Sequence, residues 1–284
     1  MVIQLRRAGR AASTVNHYVH VIKNFIRWAV RKKHLAVSPI GPETELKREK
    51  PNRRNRRLGL DEEKKLLASA GPWLQRLIIA ALETGCRLGE LLSLLWGDVN
   101  LKRRELVIRA ENAKDGESRT IPISGRLKAV LEMAQVGPDG KDLPSTAFVF
   151  GNEVGGQVGS PRRAWRTCVL KAHGHKPVWL TPGALAPESE AAYRVIDLHF
   201  HDLRHEAGSR WIETGWPLHH VKEMLGHASL ATTDIYLNAT RLGLHDSMKR
   251  FGSRSCNRLA KKPKSGLRPP RKTRAAEAAN SRVN

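Results

Sequence analysis

The chain has 284 residues, 40% of them hydrophobic, and carries 50 Lys and Arg against 27 Asp and Glu, a net charge of +23. A core can form, but no apolar run reaches the roughly 18 residues that a membrane span needs. Cys86, Cys168 and Cys256 are scattered and form no Cys-x-x-Cys pair, which excludes a disulfide framework and a cysteine zinc site.

The charge is uneven. Residues 1–57 hold 15 basic and 3 acidic residues, and residues 252–284 hold 10 and 1, while residues 58–251 are close to neutral with 25 and 23. A nearly neutral body with two cationic ends suits a polyanion, with nucleic acid the leading candidate. The opening "MVIQLRRAGR" has no apolar leader, so a cytoplasmic protein with no membrane partner is expected.

In chain order, residues 13–33 read as an amphipathic helix, with Val15, Val19, Ile22, Ile26 and Val30 at helical spacing and Ser13 or Thr14 as its cap. Residues 41–57, ending "KREKPNRRNRR", read as an exposed basic linker. Asp61 starts a short helix with Glu62 and Glu63 in its first turn, where the helix dipole favours acids. "PWLQRLIIAALETG" is an apolar helix closed by Gly85, and "LGELLSLLW" is a second. The period then changes to two: "ELVIRA" and "SRTIPI" read as strands joined through "ENAKDGE" as a hairpin. "GRLKAVLEMAQ" returns to helix, "TAFVF" reads as a short strand, and "SPRRAWRTCVLKA" as a helix. Residues 174–195 read as a loop or insertion. Helices are expected over 201–213, 217–225 and about 231–240, with a last amphipathic one over 242–251 through Leu244, Met248 and Phe251. Residues 252–284 are too poor in large apolar groups to fold. The expected fold is mainly α with a small antiparallel sheet.

The chemistry centres on "LGHASLATTDIY", where Tyr236 stands nine positions after His227. Alone, such a tyrosine packs its ring. A phenol, with an ordinary pKa of about 10, attacks only if a base takes its proton or cations stabilise the phenolate. A phosphodiester target also needs fixed cationic donors for the charge that develops on its non-bridging oxygens. Its leaving 5′ oxygen needs a proton from a general acid. Candidates exist for each role. "ETGCRLGE" places Arg87 between two apolar helices, where a charge needs an anion. "HFHDLRHEAGSRW" puts His201 and Arg204 on one helix face. Lys114 stands at the hairpin tip, and His227 at a helix end.

Each residue also has a plain reading. Arg87 can pair with Glu90. Lys114 can be a solvated turn lysine, with Lys102 an alternative outside the tip. His201 and His205 have the spacing of a helical zinc pair, but no His-Glu-x-x-His pattern accompanies them and Arg204 would repel a cation. No metal or cofactor is expected. "GNEVGGQVG" lacks the Gly-Lys-Ser/Thr of a phosphate loop.

"TGCRLGE", a hairpin lysine before "RTIPI", "HDLRH" and "LGHASLATTDIY", in this order and spacing, resemble the tyrosine recombinase, or phage integrase, family. The resemblance covers residues 58–251 as a catalytic domain. It reaches weakly into residues 1–40 as the last part of a helical core-binding domain. It implies that Arg87 and Arg204 clamp the scissile phosphate of double-stranded DNA, that His227 donates to it, and that Lys114 protonates the leaving oxygen. His201 would assist as base, and Tyr236 would form a 3′-phosphotyrosine, without metal or ATP. It also implies a ring of four subunits, coupled through the helix at 242–251, and accessory DNA-bending or directionality proteins as further partners. Two other functions fit the same residues: a DNA-binding factor that has lost cleavage, and a topoisomerase-like enzyme that relaxes DNA without strand exchange.

Overall fold

The computed structural model describes residues 4, 7–40 and 56–233, and its backbone packing divides the chain into two units, Met1–Arg57 and Leu58–Asn284. The expected linker falls mostly outside the described residues, as do Tyr236, the helix at 242–251 and the basic tail. No described helix is long and apolar enough to cross a membrane.

In the first unit α1 spans Ala12–Arg31. Its N-cap is Ala11, with no side-chain cap, so the expected role of Ser13 or Thr14 is corrected: both lie inside the first turn. Val15, Val19 and Ala29 are buried. Tyr18, Val21, Phe25 and Trp28 form a second, exposed apolar stripe, with the Phe25 and Trp28 rings stacked at 5.8 Å.

The second unit begins with α2 (Leu60–Ser69), α3 (Pro72–Thr84) and α4 (Leu88–Leu92). Gly85 closes α3 in the left-handed region, at φ 61°. A Cβ there would lie 2.7 Å from Leu225 Cδ2 and 3.0 Å from the Trp211 ring, so close packing as well as φ requires glycine. The expected second helix is cut to five residues, and a 3₁₀ turn over Trp96–Asp98 follows it.

Strands β1 (Val99–Asn100), β2 (Glu105–Ile108) and β3 (Arg119–Pro122) form an antiparallel sheet in that order. The register pairs Leu106 with Ile121 and Ile108 with Arg119. Leu106, Ile108 and Ile121 face the core, and the period of two puts Arg119 on that same face of β3.

Helix α5 (Gly125–Gln135) is capped by Ser124, whose hydroxyl accepts from the Leu127 N–H. "TAFVF" is not a strand. Gly155 and Gly156 fold the chain back on itself, and the segment clips the loop after α4 through one isolated bridge, Leu95 to Phe148. Helix α6 (Arg162–Ala172) follows. Residues 174–195 are more ordered than a loop: β4 (Trp179–Thr181) and β5 (Ala184–Leu185) pair, and α7 runs Pro187–Ile196. Pro187 starts this helix rather than breaking it, because the first helical position has no use for its missing N–H.

Helices α8 (Phe200–Glu213), α9 (Leu218–Leu225) and the four-residue α10 (Leu230–Thr233) complete the described fold. Helix α3 packs on α8 and α5, α2 on α6, and α9 on α8 and β3. Leu66, Leu77, Ile78, Leu91, Leu127 and Leu203 fill the shared core at 0–1% exposure, each contributing about 1.5–3 kcal/mol by burial. An ionic chain through two buried carboxylates fastens α8. Glu206 accepts from Arg210, Arg210 donates to Glu63, and Glu63 also pairs with Arg126 at the start of α5.

Candidate active site

The site forms where three segments meet: the turn after α3, the first turns of α8, and the C-terminal end of α9. Helix α8 starts at a cap in which the His199 N–H donates to Asp202 at 2.7 Å. Leu203 and Ala207 then anchor it in the core, which fixes the direction of its other face.

Arg204 projects from α8 and is 3% exposed. Its Nη1 donates to the Gly85 carbonyl at 2.7 Å and its Nη2 to the Leu225 carbonyl at 2.5 Å. One guanidinium therefore ties the end of α3 to the end of α9. Arg87 sits at the start of α4. Its Nη2 donates to the Gly226 carbonyl at 3.2 Å, and its Nη1 pairs with Glu90 Oε1 at 2.8 Å. The ion pair with Glu90 is thus present, and it leaves Arg87 within reach of the same helix end as Arg204.

Glu90 is 2% exposed and takes four hydrogen bonds. Arg87 supplies its backbone N–H and Nη1, and Arg119 supplies Nη1 at 3.2 Å and Nη2 at 2.6 Å. Burial alone would raise this carboxyl, but the Arg119 and Arg87 donors outweigh it and hold the group below its usual range.

His227 follows Gly226, the left-handed cap of α9. Its Nδ1 lies 3.0 Å from the hydroxyl of the fully buried Thr233. Its pKa falls to about 4, through partial burial first and then the charges of Arg204 and Arg87. His201 stands one turn before His205, the two rings edge-to-face at 4.9 Å. Its pKa is also about 4, lowered by desolvation, by His205 and by Arg204. Both imidazoles are neutral near pH 7 in a site dense with guanidinium charge.

Four candidate residues therefore meet: Arg87, His201, Arg204 and His227. Lys114 does not join them. It lies exposed on the loop between β2 and β3, and among the described residues no hydrogen bond or ion pair links it to the cluster. Tyr236 is three positions beyond Thr233, outside the described residues. Motif spacing gives no role to Arg119 or Thr233, whereas Glu90 is the expected partner of Arg87. The signal for Arg119 was its parity with Ile121 and Ile123 on an alternating strand. Among the described residues no group of three His, Cys, Asp or Glu side chains is placed to hold a metal ion.

The profile of the Phage integrase family matches residues 56–242. The chain is 28% identical over 251 residues to tyrosine recombinase XerA of Pyrococcus horikoshii, covering 87% of this chain and 76% of the relative. It is 32% identical to the shufflon-specific DNA recombinase of Escherichia coli, over 62% of this chain and 38% of that protein's length. In fold it is similar to the Tn1549 transposon integrase in complex with transposon right end DNA, with a TM-score of 0.65 at 15% identity over 88% of this chain and 83% of that one. It is also similar to a lambda integrase dimer bound to a core site, with a TM-score of 0.60 at 17% identity over 81% and 77%. At these identities the two structures speak for the fold alone.

Proposed function

The chain belongs to the phage integrase family, and from that premise we propose that it is a site-specific DNA recombinase that cuts and rejoins strands through Tyr236. The phenolic oxygen attacks the scissile phosphorus, the bond to the 5′ oxygen breaks, and a 3′-phosphotyrosine forms. Neutral His201 accepts the phenolic proton, and Lys114 gives a proton to the leaving 5′ oxygen. Arg87 and Arg204 meet the non-bridging oxygens with forked donors, and His227 adds an N–H. A 5′ hydroxyl from the partner strand then reverses the same steps. The bond energy is kept in the phosphotyrosine, so the reading needs no ATP, and the arginines and His227 answer the charge that a metal would otherwise meet. Double-stranded DNA is the substrate, and a homotetramer on two paired sites is the proposed assembly. DNA-bending or directionality proteins remain proposed partners.

The observation that carries this reading is the meeting of Arg87 and Arg204 on the adjacent carbonyls Gly226 and Leu225, immediately before His227. The test is covalent trapping. DNA fragments selected for binding are nicked near candidate sites, incubated with the protein without metal or ATP, and resolved under denaturing conditions. The expected result is an adduct that maps to Tyr236 and disappears in Tyr236→Phe, while DNA affinity stays nearly unchanged. Binding without an adduct would overturn the reading in favour of a non-catalytic DNA-binding factor. Adducts with relaxed circles but no recombinant products would favour the topoisomerase-like alternative.

A further inference from the structure

Arg119 opens "RTIPI" but carries none of the expected catalytic roles, and its guanidinium joins β3 to Glu90 and to the end of α9. It comes from the core-facing side of β3, and its side chain is 11% exposed. Its Nε donates to the Met224 carbonyl at 3.3 Å, and its two Nη atoms grip the two oxygens of Glu90. A Cβ on Gly226 would lie 2.8 Å from Arg119 Nη1, so the backbone of that turn passes directly against the guanidinium.

Three arginines thus take three successive carbonyls at the end of α9: Arg119 that of Met224, Arg204 that of Leu225, and Arg87 that of Gly226. Arg119 also shares Glu90 with Arg87. The two differ in reach. Arg87 has 26% of its side chain exposed, whereas every nitrogen of Arg119 is committed to Glu90 or to Met224. Arg119 is therefore the less exposed of the two, and most of its donors are already engaged.

We propose that Arg119 is a positioning residue for strand cleavage: it touches no reacting atom, and it fixes the Glu90 carboxylate and the end of α9 so that Arg87 and His227 present their donors in register. This rests on the function proposed above. A lysine could not replace it, because one ammonium cannot hold a carboxylate on two parallel bonds and a carbonyl at the same time. Displacing catalytic groups by about 1 Å costs on the order of 10²-fold in rate, and that is the loss expected here.

The test compares wild type with Arg119→Met and Arg119→Lys, the second carrying the same readouts should the first fail to fold. Amide hydrogen exchange in the DNA-free protein is expected to speed up at least roughly tenfold at Gly226 and His227 in both variants, with the α3 and α8 core unchanged. Adduct formation on nicked DNA is expected to fall about 100-fold, with affinity within about twofold. In an Arg87→Ala background the same substitutions are expected to cost far less, because both act through one arrangement. Losses that simply multiply with those of Arg87→Ala would overturn the proposal, as would unchanged exchange at Gly226 and His227. Absence of an adduct in wild type would count against the proposed function, and the exchange measurement would then decide the role of Arg119 alone.

Discussion

The Nδ1 of His227 and the hydroxyl of Thr233 are 3.0 Å apart, and Thr233 has no exposed surface. The imidazole is therefore tethered through Nδ1 to the segment that follows it. Thr233 lies three positions before Tyr236, so this bond ties the end of α9 to the residues that lead to the proposed nucleophile.

Thr233→Val keeps the shape of the side chain and removes the hydroxyl. It is expected to cost about 1 kcal/mol of stability. The ring of His227 would lose its tether, so adduct formation should slow by roughly tenfold, as about 1.4 kcal/mol of misplacement implies. Single-turnover cleavage with Thr233→Ser as the rescuing control checks this; equal rates in Val and Ser variants would refute it.

Arg204 and Lys114 should separate cleanly. Arg204→Ala strands two carbonyls, those of Gly85 and Leu225, at about 1–3 kcal/mol each. Cleavage and melting temperature should both fall. Lys114 is exposed, so Lys114→Ala should change stability by less than about 0.5 kcal/mol. Loss of a general acid should nonetheless slow cleavage by about 10²–10⁴-fold. Thermal melts run beside cleavage assays decide it.

The pH dependence has a defined sign. His201 and His227 have pKa values of about 4 in the folded protein, below the ordinary value of 6.5. The unfolded chain therefore binds more protons between those values. The stability these groups contribute is present above pH 6.5 and is lost as pH falls towards 4. Denaturant midpoints of the DNA-free protein should decline across that window, and less so in a His201→Gln, His227→Gln double variant. A phosphodiester bound beside them would favour their charged forms and is expected to raise both values. DNA binding should take up protons, and affinity should rise as pH falls from about 7 to 5.5. Calorimetry in two buffers of different ionisation enthalpy measures the uptake directly.

Gly85→Ala should be costly for two reasons that act together. The new Cβ would press on Leu225 and Trp211, and φ is 61° there. Overpacking of this kind costs about 1–3 kcal/mol. The Gly85 carbonyl would also shift away from Arg204, so cleavage should fall further than stability alone explains. Denaturant titration and cleavage of the same preparation test it.

Much of the framework could be read from local pattern. Gly85 after an apolar run announced the end of α3, and the change of period at residue 105 announced the hairpin. Order and spacing along the chain singled out Arg87, Arg204 and His227, which the fold brings to one helix end. What escaped was non-local. Arg119 was passed over because "RTIPI" was read for its hydrophobic residues, although alternation puts Arg119 inward with Ile121. "TAFVF" has the composition of a strand, but glycines downstream turn the chain before a partner can pair with it. Residues 174–195 show no clear apolar period and read as a loop or insertion, yet a short strand pair forms there and Pro187 opens α7. The shortness of α4 was hidden too, since apolar residues continue past its end into the 3₁₀ turn.

The end of α9 has an electrical meaning of its own. The C-terminal end of a helix carries a partial negative charge, equivalent to about half an electron, and would turn a phosphate away. Here the last carbonyls face three guanidinium groups, which offset that partial charge. Each arginine cancels part of a repulsion as well as supplying an attraction. Removing Arg87 or Arg204 should therefore do more than subtract one attraction, because the carbonyl it covered would again face a bound phosphate.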